Sequence, residues 1–183
     1  MQVREARLED ARAIAELVVA TWRAAYRGLL PDTLLNSLSE ESSEVRWRER
    51  LAHPWGTTQV CELDGRVVGF VTYGDTRDEG ADGAMVGEVY ALYVSEAYWG
   101  HGCGYGLMAA ALDGLRAQGK REVVLWTLRG NNRAIRFYER QGFAADGGAK
   151  QVTHSSGAIL DEVRYRRTLM GAPHSDVAVS DGR

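Results

Sequence analysis

The sequence predicts a mixed α/β (α+β) domain in which helices pack around a single sheet. Three observations predict it. Short apolar runs of strand character alternate with helical stretches, and in the second half the helices fall between strands. A β-hairpin signature, Asp64-Gly65 between two strand-like runs, stands near the first third of the chain. The 183 residues, 45% of them hydrophobic, suffice for one core of ordinary size, with no internal repeat and no linker.

The elements follow in order. Val3 to Ala6 reads as a short first strand. From Glu9 the pattern turns helical, and Ile14, Leu17, Val18, Trp22 and Ala25 share one face. Asp10 sits early in this helix, where a carboxylate favours the helix dipole, and Gly28 and Pro31 break it. A second helical stretch, 32–52, divides into two pieces and ends before His53-Pro54-Trp55-Gly56. Gln59 to Leu63 and Arg66 to Tyr73 form the hairpin. Residues 75–83, acidic and glycine-rich, form a loop.

Met85 to Val94 is apolar on both parities except at Glu88, as a doubly buried central strand should be. A glycine-rich turn, Gly100 to Gly106, leads into a helix marked by Leu107, Met108, Ala111, Leu112 and Leu115 and closed by Gly119. Glu122 to Leu128 is a buried strand, Asn131 to Gln141 a short helix stopped by Gly142, and Ile159 to Leu169 the last strand. The domain is expected over 1–169, with 170–183 a flexible tail.

Composition excludes several classes. A formal charge of −3 without a broad basic excess speaks against nucleic-acid binding. No apolar run approaches the roughly 18 residues that span a bilayer, so no membrane partner is expected. The charged start of the chain lacks a signal-peptide pattern. Cys61 and Cys103 make no disulfide framework, and the expectation is a cytoplasmic protein with free thiols. His53, His101, His154 and His174 show no metal-ligand spacing, so no metal is expected.

Chemistry concentrates in the glycine turn, where Gly100, Gly102, Gly104 and Gly106 alternate between a buried strand and a helix. Backbone N–H groups without side chains around them can close on a phosphate, and the following helix N-terminus adds partial positive charge. A diphosphate ligand is the expectation. A dinucleotide fingerprint fails, because the sixth position from Gly100 is Tyr105 and from Gly102 is Leu107. A phosphate loop fails as well, since Arg121 follows Gly119-Lys120 where a hydroxyl residue belongs.

The run Glu88-Val89-Tyr90-Ala91-Leu92-Tyr93-Val94 leading into Gly100-His101-Gly102-Cys103-Gly104 resembles the acetyl-CoA signature of the GCN5-related N-acetyltransferase superfamily. Asn131-Asn132-Arg133-Ala134-Ile135-Arg136-Phe137-Tyr138-Glu139-Arg140-Gln141-Gly142-Phe143 resembles its second signature. One position departs. Trp99 stands where the family carries Gln or Arg, and loss of that polar contact is expected to weaken coenzyme affinity.

The resemblance implies a mostly antiparallel sheet, flanked by helices, in which the parallel strands Met85–Val94 and Glu122–Leu128 splay apart. Acetyl-CoA, the implied co-substrate, lies in the gap. Leu92-Tyr93-Val94 faces the pantetheine through the backbone of Leu92 and Val94. Gly100, His101, Gly102, Cys103, Gly104, Tyr105 and Gly106 hold the diphosphate through backbone groups, and Asn131 touches the pantetheine.

By the same resemblance Tyr138 protonates the departing thiolate, and the general base is Glu88 or, as in many members of the superfamily, a water chain. Seven residues separate Asn131 from Tyr138, about two helical turns, so they share a face. The acetyl group passes to an amine by direct attack in a ternary complex. A covalent route through Cys103 is disfavoured, because no third group orients it.

The implied acceptor pocket takes Trp22, Tyr26 and Trp47 from the first helices, with Glu88 and the acidic loop of Asp75, Asp78, Glu79 and Asp82. Aromatics and carboxylates suit a cationic amine, either a small molecule or a protein N-terminus. A homodimer is expected, with Ile159–Leu169 as candidate edge, although Arg164, Arg166 and Arg167 also suit a protective edge. The rival reading is a non-catalytic acetyl-CoA sensor, against which Tyr138 speaks.

Overall fold

A computed structural model describes residues 1–154 and 157–169; the expected tail, 170–183, lies outside the described residues. The chain runs β1 (Gln2–Glu5), a 3-10 turn (Leu8–Asp10), α1 (Ala11–Ala25), α2 (Asp32–Ser37), α3 (Glu40–Ala52), β2 (Thr57–Leu63), β3 (Arg66–Asp75) and β4 (Val86–Val94). A second 3-10 turn (Glu96–Tyr98), α4 (Cys103–Ala117), β5 (Glu122–Leu128), α5 (Asn132–Arg140), β6 (Ala144–Thr153) and β7 (Ile159–Thr168) follow. Seven strands form one sheet in the order β1-β2-β3-β4-β5-β7-β6, parallel only at β4–β5.

Local chemistry sets the ends of these elements. Asp64 and Gly65 both take positive φ, 49° and 74°, and close the β2–β3 hairpin. Ser39 caps α3 by accepting a hydrogen bond from the Ser42 N–H at 3.2 Å. Asp10 does more than favour a dipole: its carboxylate accepts the Arg7 N–H at 2.7 Å and pairs with Arg4 at 2.8 Å, which ties β1 to the start of α1.

The core has two faces. Ile14 and Leu17 of α1 and Trp47 of α3 pack against Val60 and Phe70 on one side of the sheet. Leu107, Met108 and Leu115 of α4 pack against Val71, Val89 and Leu125 on the other. Each such side chain, fully buried, contributes roughly 1.5–3 kcal/mol. Trp47, expected in the acceptor pocket, is a core residue whose ring meets Phe70 at 4.9 Å.

The feature that creates the site lies in the middle of the sheet. β4 and β5 pair from Val86↔Glu122 to Val89↔Leu125 and then part. On the other side of β4, Thr72 faces Ala91 while Tyr73 faces Val89, so Tyr90 is an extra residue and β4 carries a bulge there. A bulge bends its strand and increases the local twist. Beyond it β4 stays with β3 through Gly69↔Val94, while β5 stays with β7 through Leu128↔Glu162.

Two expectations are corrected. β6 is absent from the sequence reading, because Ala144-Ala145-Asp146-Gly147-Gly148-Ala149 carries no strand periodicity and the strand is mostly exposed, with a register shift between Ala145 and Ala149. β7 is consequently not an edge. It lies between β5 and β6, and the edge open to a second copy at this end is β6. The glycine turn is also shorter than expected, since α4 begins at Cys103 and takes in Gly104, Tyr105 and Gly106.

Candidate active site

The gap between β4 and β5 opens into a cavity of about 400 Å³. Its wall includes β4 from Val89 to Val94, whose backbone has no strand partner on the β5 side beyond Val89. Unpaired N–H and C=O groups on an inner strand cost free energy unless a ligand or water meets them. The cavity continues in two directions, toward the start of α4 and toward α1.

At the α4 end the lining includes Gly100, Gly102 and Gly104 and, from one face of α5, Arg133, Arg136 and Arg140. Gly102 is the N-terminal cap of α4 with φ 86°, a conformation that glycine adopts without strain, and no side chain caps the first N–H groups of the helix there. Trp99 donates its Nε1–H to the Val94 carbonyl at 2.7 Å. The Arg133 guanidinium lies 3.3 Å from the Trp99 ring centroid. The charge missing from position 99 is thus present on its indole face, from a residue that the sequence reading quoted only as part of a motif.

Not every expected coenzyme contact lines the cavity. Gly100, Gly102, Gly104 and Tyr105 do, with Leu92, Tyr93, Val94 and Asn131; His101, Cys103 and Gly106 do not. Cys103 is buried in the core beside Cys61, whose thiol is pushed up to about 12 by burial and by its hydrogen bond to Cys103. A thiol buried in apolar surroundings is a poor nucleophile. Asn131 caps α5, its side-chain oxygen accepting the Ala134 N–H at 3.4 Å.

Tyr138, two turns along α5, reaches the middle of the cavity wall with its ring edge-on to Phe137 and Phe143. Burial, and after it the charge of Tyr93, raises its phenol well above the ordinary value. Burial thus favours the neutral phenol over the phenolate.

The α1 end is aromatic. Trp22 donates its Nε1–H to the Tyr93 hydroxyl at 3.1 Å, and the Tyr26 and Tyr93 hydroxyls lie 3.3 Å apart. Trp126 and Glu162 complete this end. The sequence reading missed Glu162, which sits in an arginine-rich strand without a motif around it.

Glu88 is placed elsewhere. It is 1% exposed and does not line the cavity. Its carboxylate accepts the Arg77 N–H at 2.8 Å, the Arg77 Nε–H at 3.1 Å and a further, shorter bond from Arg77 Nη2. Glu88 pairs with Val124 in the stretch where β4 and β5 are still joined, below the point where the gap opens. The acidic loop is likewise structural: Asp75 pairs with Lys120, and Asp78 accepts the Trp126 Nε1–H and pairs with Arg164. Among the described residues no cluster of three His, Cys, Asp or Glu could hold a metal, and no helix is long and apolar enough to cross a membrane.

Residues 16–143 match the acetyltransferase (GNAT) family. The chain is 33% identical over 163 residues to YuaI of Bacillus subtilis (strain 168), described as an uncharacterized N-acetyltransferase, with 88% of this chain and 89% of that one covered. A GCN5-related N-acetyltransferase from Rhodopseudomonas palustris superposes with a TM-score of 0.74 at 22% identity, over 92% of this chain and 95% of that one. The yncA protein of Salmonella typhimurium, solved with its cofactor acetyl-CoA, superposes with a TM-score of 0.67 at 23% identity, over 97% and 98% of the two chains. Splayed strands, glycine turn and both signature segments occupy the matched region, and the chain belongs to the acetyltransferase (GNAT) family.

Proposed function

We propose that the protein transfers the acetyl group of acetyl-CoA to a primary amine by direct attack within a ternary complex at the β4–β5 gap. The observation that carries this reading is the continuity of one cavity. It runs from the cationic, glycine-lined end, past the unpaired β4 backbone and Tyr138, to the aromatic end near α1.

Each part has a physical role. Gly100, Gly102 and Gly104 let the diphosphate approach the N-terminus of α4, and Arg133 on Trp99 supplies positive charge there. The Leu92–Val94 backbone pairs with the pantetheine amides, and an N–H near Val94 polarises the thioester carbonyl. The amine nitrogen attacks that carbon, the C–S bond breaks, and the Tyr138 hydroxyl gives its proton to the sulfur. The buried position of Cys103 supports attack without an acetyl-enzyme.

Initial-rate kinetics with acetyl-CoA and a panel of primary amines test the reading. Amine-dependent thiol release with intersecting double-reciprocal lines is expected. Parallel lines together with an acetylated protein by mass would contradict direct attack, and failure of the protein to bind acetyl-CoA would overturn the whole reading.

A further inference from the structure

Among the described residues that line the β4–β5 cavity, one is a carboxylate, Glu162. It projects from β7, opposite Leu128 of β5 and Lys150 of β6, and stands at the end formed by Trp22, Tyr26, Tyr93 and Trp126. The cavity is therefore bipolar, with three arginines at one end and one carboxylate at the other. A ligand pair with a diphosphate at one end and a cation at the other matches that polarity.

Among the described residues Glu162 has one ion-pair partner, Lys150, and the contact is loose. The Lys150 ammonium lies 3.7 Å from its carboxylate, beyond hydrogen-bond length, and also sits 3.9 Å from the Trp126 ring centroid. Half-exposed pairs of this kind contribute about 0–1 kcal/mol. The lone pairs of Glu162 are thus open to a second cation. We infer that Glu162 seats and deprotonates the acceptor, a cationic primary amine with an aromatic or apolar body that lies among Trp22, Tyr26 and Trp126. The inference rests on the acetyl-transfer reading for the proton's role; the binding preference stands without it.

Charge bookkeeping supports the assignment. An ammonium must lose a proton before its nitrogen can attack. Glu162 takes that proton, the nitrogen forms the C–N bond as the C–S bond breaks, and Tyr138 protonates the sulfur. The second proton of the nitrogen restores Tyr138. Glu162 releases the first to solvent, which its side chain reaches with 22% exposure. Burial raises the Glu162 carboxyl above the usual range, which brings a carboxylate closer to the basicity this task needs. Lys150 and Arg77 pull it down, Glu88 pushes it up, and the Tyr26 and Tyr93 phenols also feel its charge.

Binding of phenethylamine and of its neutral isostere 2-phenylethanol to the protein–CoA complex tests the inference by calorimetry. The wild-type protein should prefer the amine by at least about tenfold at pH 7. Glu162→Gln should abolish the preference and Glu162→Asp keep part of it, both with unchanged acetyl-CoA affinity. In transfer, Glu162→Gln should lose about 10²-fold in kcat/KM at pH 7, with the deficit shrinking as pH nears the amine's own pKa. Equal binding of amine and alcohol by the wild type, binding of neither, or a preference that survives Glu162→Gln would overturn the inference. An amine preference without acetyl transfer would instead count against the transfer reading.

Discussion

Arg77 holds the carboxylate of Glu88, its backbone N–H donating to one oxygen and the Nε–Nη2 edge of its guanidinium to the other, while the arginine stays half-exposed. The arginine also lies 4.5 Å from the Tyr90 ring centroid and 5.7 Å from that of Trp55. Glu88 therefore anchors the loop between β3 and β4. Glu88→Gln should lower unfolding free energy by about 1.5–3 kcal/mol, the range for hydrogen bonds to a charged group. Transfer per folded molecule should stay within about threefold of wild type, too little for a lost general base. Denaturant melts beside rates check this; a rate loss far larger than that, without a stability loss, would return Glu88 to the role of base.

Gly104 offers a test of coenzyme approach that spares the fold. It lies inside α4 with helical φ, and an added Cβ would meet Phe137 at 3.4 Å, an ordinary contact. Gly104→Ala should hold or raise stability, by up to about 1 kcal/mol. The new methyl also enters the cavity wall and should weaken acetyl-CoA binding. Calorimetry and melts on the same sample separate the two effects, whereas at Gly102 the positive φ would mix strain with the binding loss.

Arg133 should carry the charge that Trp99 lacks. Arg133→Ala is expected to weaken acetyl-CoA binding by roughly tenfold, about 1.4 kcal/mol, and to flatten its salt dependence. Arg133→Lys should recover only part, because an ammonium cannot stack on the indole as a guanidinium does. An unchanged affinity in Arg133→Ala would assign the diphosphate charge to Arg136 or Arg140.

Asp10 gives a stability prediction with a defined pH window. Burial alone would raise its carboxyl, but the Arg4 guanidinium and the Arg7 N–H outweigh that and hold it below the usual range. A carboxyl depressed in the folded state stabilises the fold above its unfolded value, and the contribution fades as pH falls through the folded value. Asp10→Asn should cost about 1–2 kcal/mol at pH 7. The gap to wild type should close below the ordinary aspartate pKa of about 3.9. Melts across pH that run parallel would contradict the account.

What the sequence disclosed depended on how local its cause was. The Asp64-Gly65 turn, the two helical pieces 32–52 and the buried strand Glu122–Leu128 are set by neighbouring residues, and they stand where periodicity and turn chemistry put them. The cavity follows from two signatures whose spacing places Asn131 and Tyr138 on one face of α5. The misses are non-local. β6 exists because β7 pairs with it, while its own alanines and glycines carry no pattern. Glu88 stays out of the cavity because β4 and β5 part only after Val89, a limit set by pairing between distant segments. Glu162 reaches the cavity because β7 inserts beside β5, and nothing in Asp161-Glu162 records that neighbour.

If an amine attacks acetyl-CoA in this cavity while Tyr138 protonates the leaving sulfur, loss of that one proton must slow transfer. Tyr138→Phe keeps the ring packed against Phe137 and Phe143 and removes only the proton. The most direct measurement is amine-dependent thiol release by this variant at saturating acetyl-CoA, compared with wild type at the same pH. The expected result is a fall of about 10²–10⁴-fold in kcat with acetyl-CoA affinity unchanged. A Tyr138→Phe variant that releases thiol at the wild-type rate would contradict it.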